Sequence, residues 1–457
     1  MNIEFKIKDE STILLKPVKK ELENNLVHFE LVDNEKNVWL ELELIEHGLN
    51  IIFISIEIID DKEFIESKLD ELYSQIIEVE KSGADSYFEN EEIELNPYDP
   101  EKIKVRSDKI PITLIAQMID NGDIDMTPDF QRHLVWNNYQ KSLLIESILL
   151  RIPLPMFYFA EDKEGKLSIV DGLQRISTIK EYMDNKFPLK NLQYLEANCG
   201  GKYYKSEGNK KGLDSKYLRW FNLTNLSANI IDPTSPFKVK YDIFRRINTG
   251  GKPLNNQEIR NCLTGQGLRD VLKEMVKLPE FLSATDKSIK STRMDDQEIA
   301  LRFLVFYSMF EKYGNIDKYT GYMDSTLDEF TELNIKSKSQ ELVKFIPHFS
   351  NSMKNAEYLL GKKCAFRKIL PKDTKPDSYK QLINKALFVC MSILFAKYDY
   401  SKLKKLNLEL KLQEPVANKI NADKDLFAYL SYGTNGKANL TYTFKVLQEL
   451  FNQHINY

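Results

Sequence analysis

The twelve residues Ser168–Ile179 (Ser-Ile-Val-Asp-Gly-Leu-Gln-Arg-Ile-Ser-Thr-Ile) constrain this chain more than any other stretch. An apolar-leaning run enters an Asp-Gly turn and an amphipathic segment starts at once. That is the pattern of a buried strand, a tight turn and a helix start. A helix N-terminus leaves N–H groups unpaired and carries the positive end of the dipole, so it suits an anion. Gly172 lets a ligand approach the backbone closely. Arg175 offers a planar fork of donors suited to phosphate. Asp171 is a carboxylate able to hold a divalent metal or polarise a water. The set suits a nucleotide phosphate better than a sugar or an apolar ligand. A plainer reading of the same residues is a common turn whose arginine pairs with a carboxylate. No G-x-x-x-x-G-K-[ST] loop occurs in the chain.

Two further segments narrow the reading. One is Asp129-Phe130-Gln131-Arg132-His133-Leu134-Val135-Trp136, followed by the amphipathic run from Lys141 to Leu149 and by Pro153-Leu154-Pro155. The other is Ile243-Phe244-Arg245-Arg246-Ile247-Asn248-Thr249-Gly250-Gly251-Lys252-Pro253-Leu254-Asn255, continuing through Gln257-Glu258-Ile259-Arg260-Asn261. With these three motifs in order, the stretch from about Ile112 to Tyr307 resembles the domain that opens GmrSD-type modification-dependent restriction endonucleases. That domain is similar to the ParB/sulfiredoxin fold.

The resemblance implies a nucleotide-binding and hydrolysis site at the turn, which in that family reads Asp-Gly-Gln-Gln-Arg. Asp171, Gly172, Gln174 and Arg175 match it, and Leu173 replaces one glutamine. The residue so lost would choose a base or position a water; the phosphate cradle remains. Asp171, Gln174 and Arg175 are the implied catalytic residues. Gly172, Arg175, Ser177, Thr178, Gln131, Arg132, Arg246 and Asn248 are the implied nucleotide-binding ones, and Asp171 the implied ligand of Mg2+. Arg132 is expected to bring a second guanidinium to a phosphate, or else to form a buried pair with Glu146. Trp136 reads as core rather than as a base-stacking platform.

The net charge of −4 hides an asymmetry. Residues 1–100 hold 9 Lys+Arg against 26 Asp+Glu, −17, and the rest holds 55 against 42, +13. The acidic head reads either as a solubilising module or as one that shields or imitates a polyanion such as DNA. Cys199, Cys262, Cys364 and Cys390 are scattered, with neither a disulfide framework nor a zinc spacing. No apolar run reaches membrane-spanning length and no basic-then-apolar leader opens the chain, so a cytoplasmic protein is expected.

The fold expected is α+β. Residues 1–83 alternate like a small β4α module, with strands near Ile3–Ile7, Leu26–Leu31, Val38–Leu42 and Ile51–Ile56. A helix follows over 62–81, with Phe64, Leu69, Leu72, Ile76 and Ile77 on one side. An acidic linker (84–103), a ParB/sulfiredoxin-like nucleotide-binding domain (104–256) and a helical domain (257–457) complete the chain. The excursion from Gly200 to Gly212 reads as a basic surface loop, and Glu298 and Arg302 lie one helical turn apart and can pair.

GmrSD enzymes also carry an HNH-type nuclease half. The five histidines here, His28, His47, His133, His348 and His454, show no matching spacing. The expectation is therefore a nucleoside-triphosphate-hydrolysing subunit of a DNA-targeting antiphage defence or restriction system. A partner subunit would supply the nuclease. The alternatives are a nucleotide-gated DNA-binding switch of ParB type without fast turnover, and a metal-dependent DNA endonuclease in its own right.

Overall fold

The structure is a computed structural model that describes the chain except for residues 1–2, 9–10, 22–26, 34, 36, 46–47, 83–103, 127–135, 248–253, 292, 432–434 and 456–457. It forms two compact units, Met1–Glu94 with Gly265–Tyr457, and Leu95–Thr264. The class is α+β with a helical C-terminal region.

The N-terminal module has five strands rather than the four expected: β1 (Ile3–Lys6), β2 (Thr12–Glu21), β3 (Val27–Val32), β4 (Val38–Ile45) and β5 (Gly48–Ile54). They form an antiparallel meander in sequence order. The additional strand, β2, is obscured in the sequence because Pro17 interrupts it, and proline within a run argues against a strand. Pro17 lies opposite Leu31 of β3, within the pairing that runs from Lys16 to Glu21. Phe5, Leu15, Phe29, Leu31, Leu40 and Leu42 bury one face of the sheet. Helix α1 (Lys62–Ser82) covers it with Ile65, Leu69, Leu72 and Ile76. Phe64 is exposed and Ile65 takes the place expected for it, a one-residue phase error that leaves the helix itself as read.

The helices of this unit centre on Lys385–Ala396, in which every residue is buried. A helix apolar all round belongs inside a core. Phe345–Leu360, Asp295–Tyr313 and Lys437–His454 pack on it. Glu298, Arg302 and Lys385 meet within this core. The Arg302 guanidinium lies 2.7 Å and the Lys385 ammonium 3.2 Å from Glu298 Oε1, and Arg302 also donates to Asn435 Oδ1 at 3.0 Å. The expected Glu298–Arg302 pair thus forms, with a third member 87 residues further along.

Asp296, in the first turn of the same helix, has no such cation among the described residues. Burial pushes its carboxyl up from 3.8 to about 6, against hydrogen bonds from backbone N–H groups. The folded form therefore takes up a proton near pH 6 and the unfolded form only near 3.8. This contribution to stability is fully present below about pH 4 and is lost as pH rises to 6. A shift of about 2 pH units corresponds to about 3 kcal/mol. Asp296→Asn is expected to be more stable than the parent at pH 7 by up to that amount, with no gain at pH 4. Melting temperatures of both proteins across that range check it; a constant difference would assign no titration to Asp296.

The second unit holds a mixed five-stranded sheet of β6 (Val105–Pro111), β7 (Ile124–Asp125), β8 (Phe157–Glu161), β9 (Leu167–Asp171) and β10 (Asn225–Ile231), in the order β6-β10-β8-β9-β7. β8 and β9 form an antiparallel hairpin, and β10 joins β8 in parallel. The helices are α2 (Ile112–Asn121), α3 (Asn138–Leu149), α4 (Leu173–Met183), the single turn α5 (Glu196–Cys199), α6 (Ser215–Asn222), α7 (Phe237–Ile247) and α8 (Asn256–Leu263). α3 starts at a capping box in which the Asn137 side chain accepts from Gln140 N and the Gln140 side chain from Asn137 N. Ile169 and Val170 are both buried, so β9 is covered on both faces. Trp136 packs against this core. Among the described residues no helix is long and apolar enough to cross a membrane, and the four cysteines are buried thiols.

Candidate functional site

β9 ends at Asp171, Gly172 turns the chain, and α4 begins at Leu173. Gly172 has φ 101°, a conformation L side chains rarely adopt, and a Cβ there would lie 2.4 Å from Phe157 Cδ1. Glycine is needed at this position on both counts. No side chain caps the start of α4, so the N-terminal end of its dipole is open to an anion.

Arg175 is one helical turn from Asp171 and pairs with it, Nη2 to Oδ2 at 2.7 Å. Its Nη1 donates to the Pro155 carbonyl and its Nη2 lies 3.4 Å from the Met156 carbonyl. Its guanidinium carbon sits 4.4 Å from the centroid of the Phe157 ring, within cation–π range. The Arg175 side chain is only 12% exposed and Asp171 is 36% exposed, so the carboxylate is the more accessible of the two. Burial lowers the Arg175 pKa from its usual value, and the Asp171 carboxylate opposes that shift.

The sequence did not disclose the carbonyls that hold Arg175. Pro153-Leu154-Pro155 was readable as an extended segment, since proline cannot continue a helix and biases the preceding residue to extended backbone. Such a segment keeps carbonyls outside any helix or ladder, and the fold aims two of them at a guanidinium.

Leu173, where the resemblance led to the expectation of a glutamine, is 7% exposed and belongs to the core of this unit. It packs instead of facing a ligand. Gln174 and Ser177 are half-buried. Thr178 is buried, and its hydroxyl donates to the Gln174 carbonyl at 2.7 Å. Arg246 is exposed in the last turn of α7, and α7 and α8 both pack on β9, the strand that carries Asp171. Gln131, Arg132 and Asn248 lie outside the described residues.

Glu146 engages a loop, and Arg132, the partner considered for it, lies outside the described residues. Glu146 is buried, and its two oxygens accept the backbone N–H groups of Gln193, Tyr194 and Leu195 at 2.7–2.9 Å. It thereby fixes the 193–195 loop against α3. The basic excursion after Gly200 is folded back on itself: Lys202 pairs with Asp214 at 2.7 Å, and Lys210 lies 3.7 Å from Glu207.

The family profile described as GmrSD restriction endonuclease, N-terminal domain, matches residues 115–264. That span contains β7 to β10, α3 to α8 and the whole of the turn around Gly172. No curated protein and no solved structure matches the chain. Residues 115–264 of this chain are thus similar to the N-terminal domain of GmrSD restriction endonucleases.

Proposed function

We propose that this chain is the nucleotide-binding and nucleoside-triphosphate-hydrolysing subunit of a DNA-targeting restriction or antiphage defence system, with its nuclease supplied by a partner. The observation that carries the reading is the uncapped N-terminus of α4, flanked by the Asp171–Arg175 pair within a GmrSD-type domain. The helix terminus attracts phosphate through its dipole and unpaired N–H groups. Arg175 is already oriented by three oxygens and a ring, so little side-chain entropy is lost when it meets an anion. Asp171 is the exposed carboxylate, placed to accept a proton from a water.

Among the described residues no group of three or more His, Cys, Asp or Glu could hold a metal by itself. A magnesium ion brought by the triphosphate takes one or two carboxylates together with the phosphates, and Asp171 fits that share. Such an ion would neutralise phosphate charge. A second reading, a nucleotide-gated DNA-binding switch, is favoured by the Asp171–Arg175 pair itself, because a carboxylate held by a guanidinium is not aimed at water.

A thermal-shift series with ATP, GTP, CTP and UTP in magnesium names the nucleotide, since a ligand of the folded state raises Tm by mass action. Asp171→Asn is expected to bind that nucleotide with hydrolysis reduced by about a hundredfold or more. Arg175→Ala is expected to weaken binding by roughly ten- to a hundredfold, the scale of a charge-assisted contact, with Arg175→Lys restoring only part. Phosphate release at the parent rate by Asp171→Asn would make Asp171 a turn residue only. Binding without measurable release by the parent would establish the switch.

A further inference from the structure

A second feature of the same unit lies on the outer side of α3 and α6. Arg151 and Lys216 both sit on the ring of Trp220, at 4.6 and 4.7 Å from its centroid. Arg219 is exposed one residue before that tryptophan. Among the described residues none of these three cations makes an ion pair. Like charges gathered at one indole without a carboxylate repel one another, and the ring offsets only part of that cost. An incoming anion relieves the remainder.

Tyr194 adds an aromatic of unusual exposure, 74%. Its loop is pinned by the Glu146 carboxylate. A large apolar ring held in water by a rigid backbone gives nothing to the core and offers a flat face to a ligand. Glu146 precedes Arg151 by five residues at the end of α3, so the two features lie within about 8 Å along the helix axis. Arg151 follows the end of α3 by two residues, in the left-handed conformation, φ 59°.

We propose that this surface binds single-stranded DNA, with Arg151, Lys216 and Arg219 on successive phosphates and Tyr194 stacked on a base. Unpaired cations recognise a phosphate chain, and an exposed aromatic recognises a base face, which a duplex hides in its own stack. Arg151 stands four residues before Pro155, whose carbonyl holds Arg175. The chain can span at most about 14 Å over that interval, so the strand would run beside the Asp171–Gly172 turn. The proposal rests on the DNA-targeting reading above.

The test is a polarisation titration of the full chain with a labelled 20-nucleotide single strand and with its duplex, at two salt concentrations. Lys216→Ala/Arg219→Ala is expected to lower the dependence of log affinity on log salt by about 0.7 per cation removed. Tyr194→Ala is expected to weaken single-strand binding by about tenfold with an unchanged salt slope. Both variants should keep the parent's nucleotide-induced Tm shift and phosphate release, which separates this surface from the nucleotide site. Parent-like DNA affinity and slope in both variants would overturn the proposal. Preference for the duplex, or no DNA binding by the parent chain, would also overturn it, whereas a parent chain that binds the single strand and releases no phosphate would count only against the nucleotide reading.

Discussion

Gly172→Ala is expected to destabilise the second unit sharply. Two costs add at this residue. A non-glycine residue at φ 101° is strained, and its Cβ would collide with the Phe157 ring at 2.4 Å. Together they amount to about 2–6 kcal/mol. In a unit of this size that is a fall in Tm on the order of 10 °C. Phe157 cannot retreat cheaply, because it is fully buried and also carries the Arg175 guanidinium. Gly165→Ala is the control: φ there is 82°, but nothing lies within 4 Å of the added methyl. It bears the backbone cost alone. Calorimetry of the two variants separates strain from collision, and equal losses would show that the contact with Phe157 relaxes.

Glu298→Ala should be as damaging to the helical unit, for an electrostatic reason. Arg302 is 2% and Lys385 1% exposed by side chain, and both rely on the same carboxylate oxygen. Removing it takes from two buried cations the carboxylate oxygen they share. Breaking a buried pair in this way costs about 3–5 kcal/mol. Asn435 retains one donor of Arg302 and does not neutralise its charge. Replacing the whole triad by apolar residues, Glu298→Leu with Arg302→Leu and Lys385→Met, should recover most of the loss, because buried ion pairs are often no better than packed apolar side chains. Denaturant midpoints measure both variants. A triple variant as unstable as the single one would mean that the triad does more than neutralise itself.

Much of the local structure was legible. The Asn137 cap, the β8–β9 hairpin and the strand–turn–helix around Gly172 follow from short-range pattern: periodicity, turn chemistry and the free N–H groups of a helix start. The phase of α1 was misread at Phe64 because Phe64 and Ile65 are both apolar, and only the sheet beneath decides which of two neighbours is buried. β2 was not read because Pro17 is a local argument against a strand, and only the tertiary pairing with β3 overrides it.

Candidate chemistry divides along the same line. That Asp171, Gly172 and Arg175 belong to one turn is a statement about residues four apart, and sequence alone determines it. Which of their atoms are engaged is not. Arg175 is held by Pro155 and Met156, roughly twenty residues earlier, and by the ring of Phe157. Glu146 binds the backbone of a loop more than forty residues away. Lys385 joins a helical pair from 87 positions further on. Hydrogen bonds and ion pairs act over a few ångströms whatever the separation along the chain. Sequence therefore determined the elements, their caps and the chemical character of the turn. Tertiary structure alone decided which side chains are spent on the fold and which, such as Tyr194 and Arg219, are left facing water.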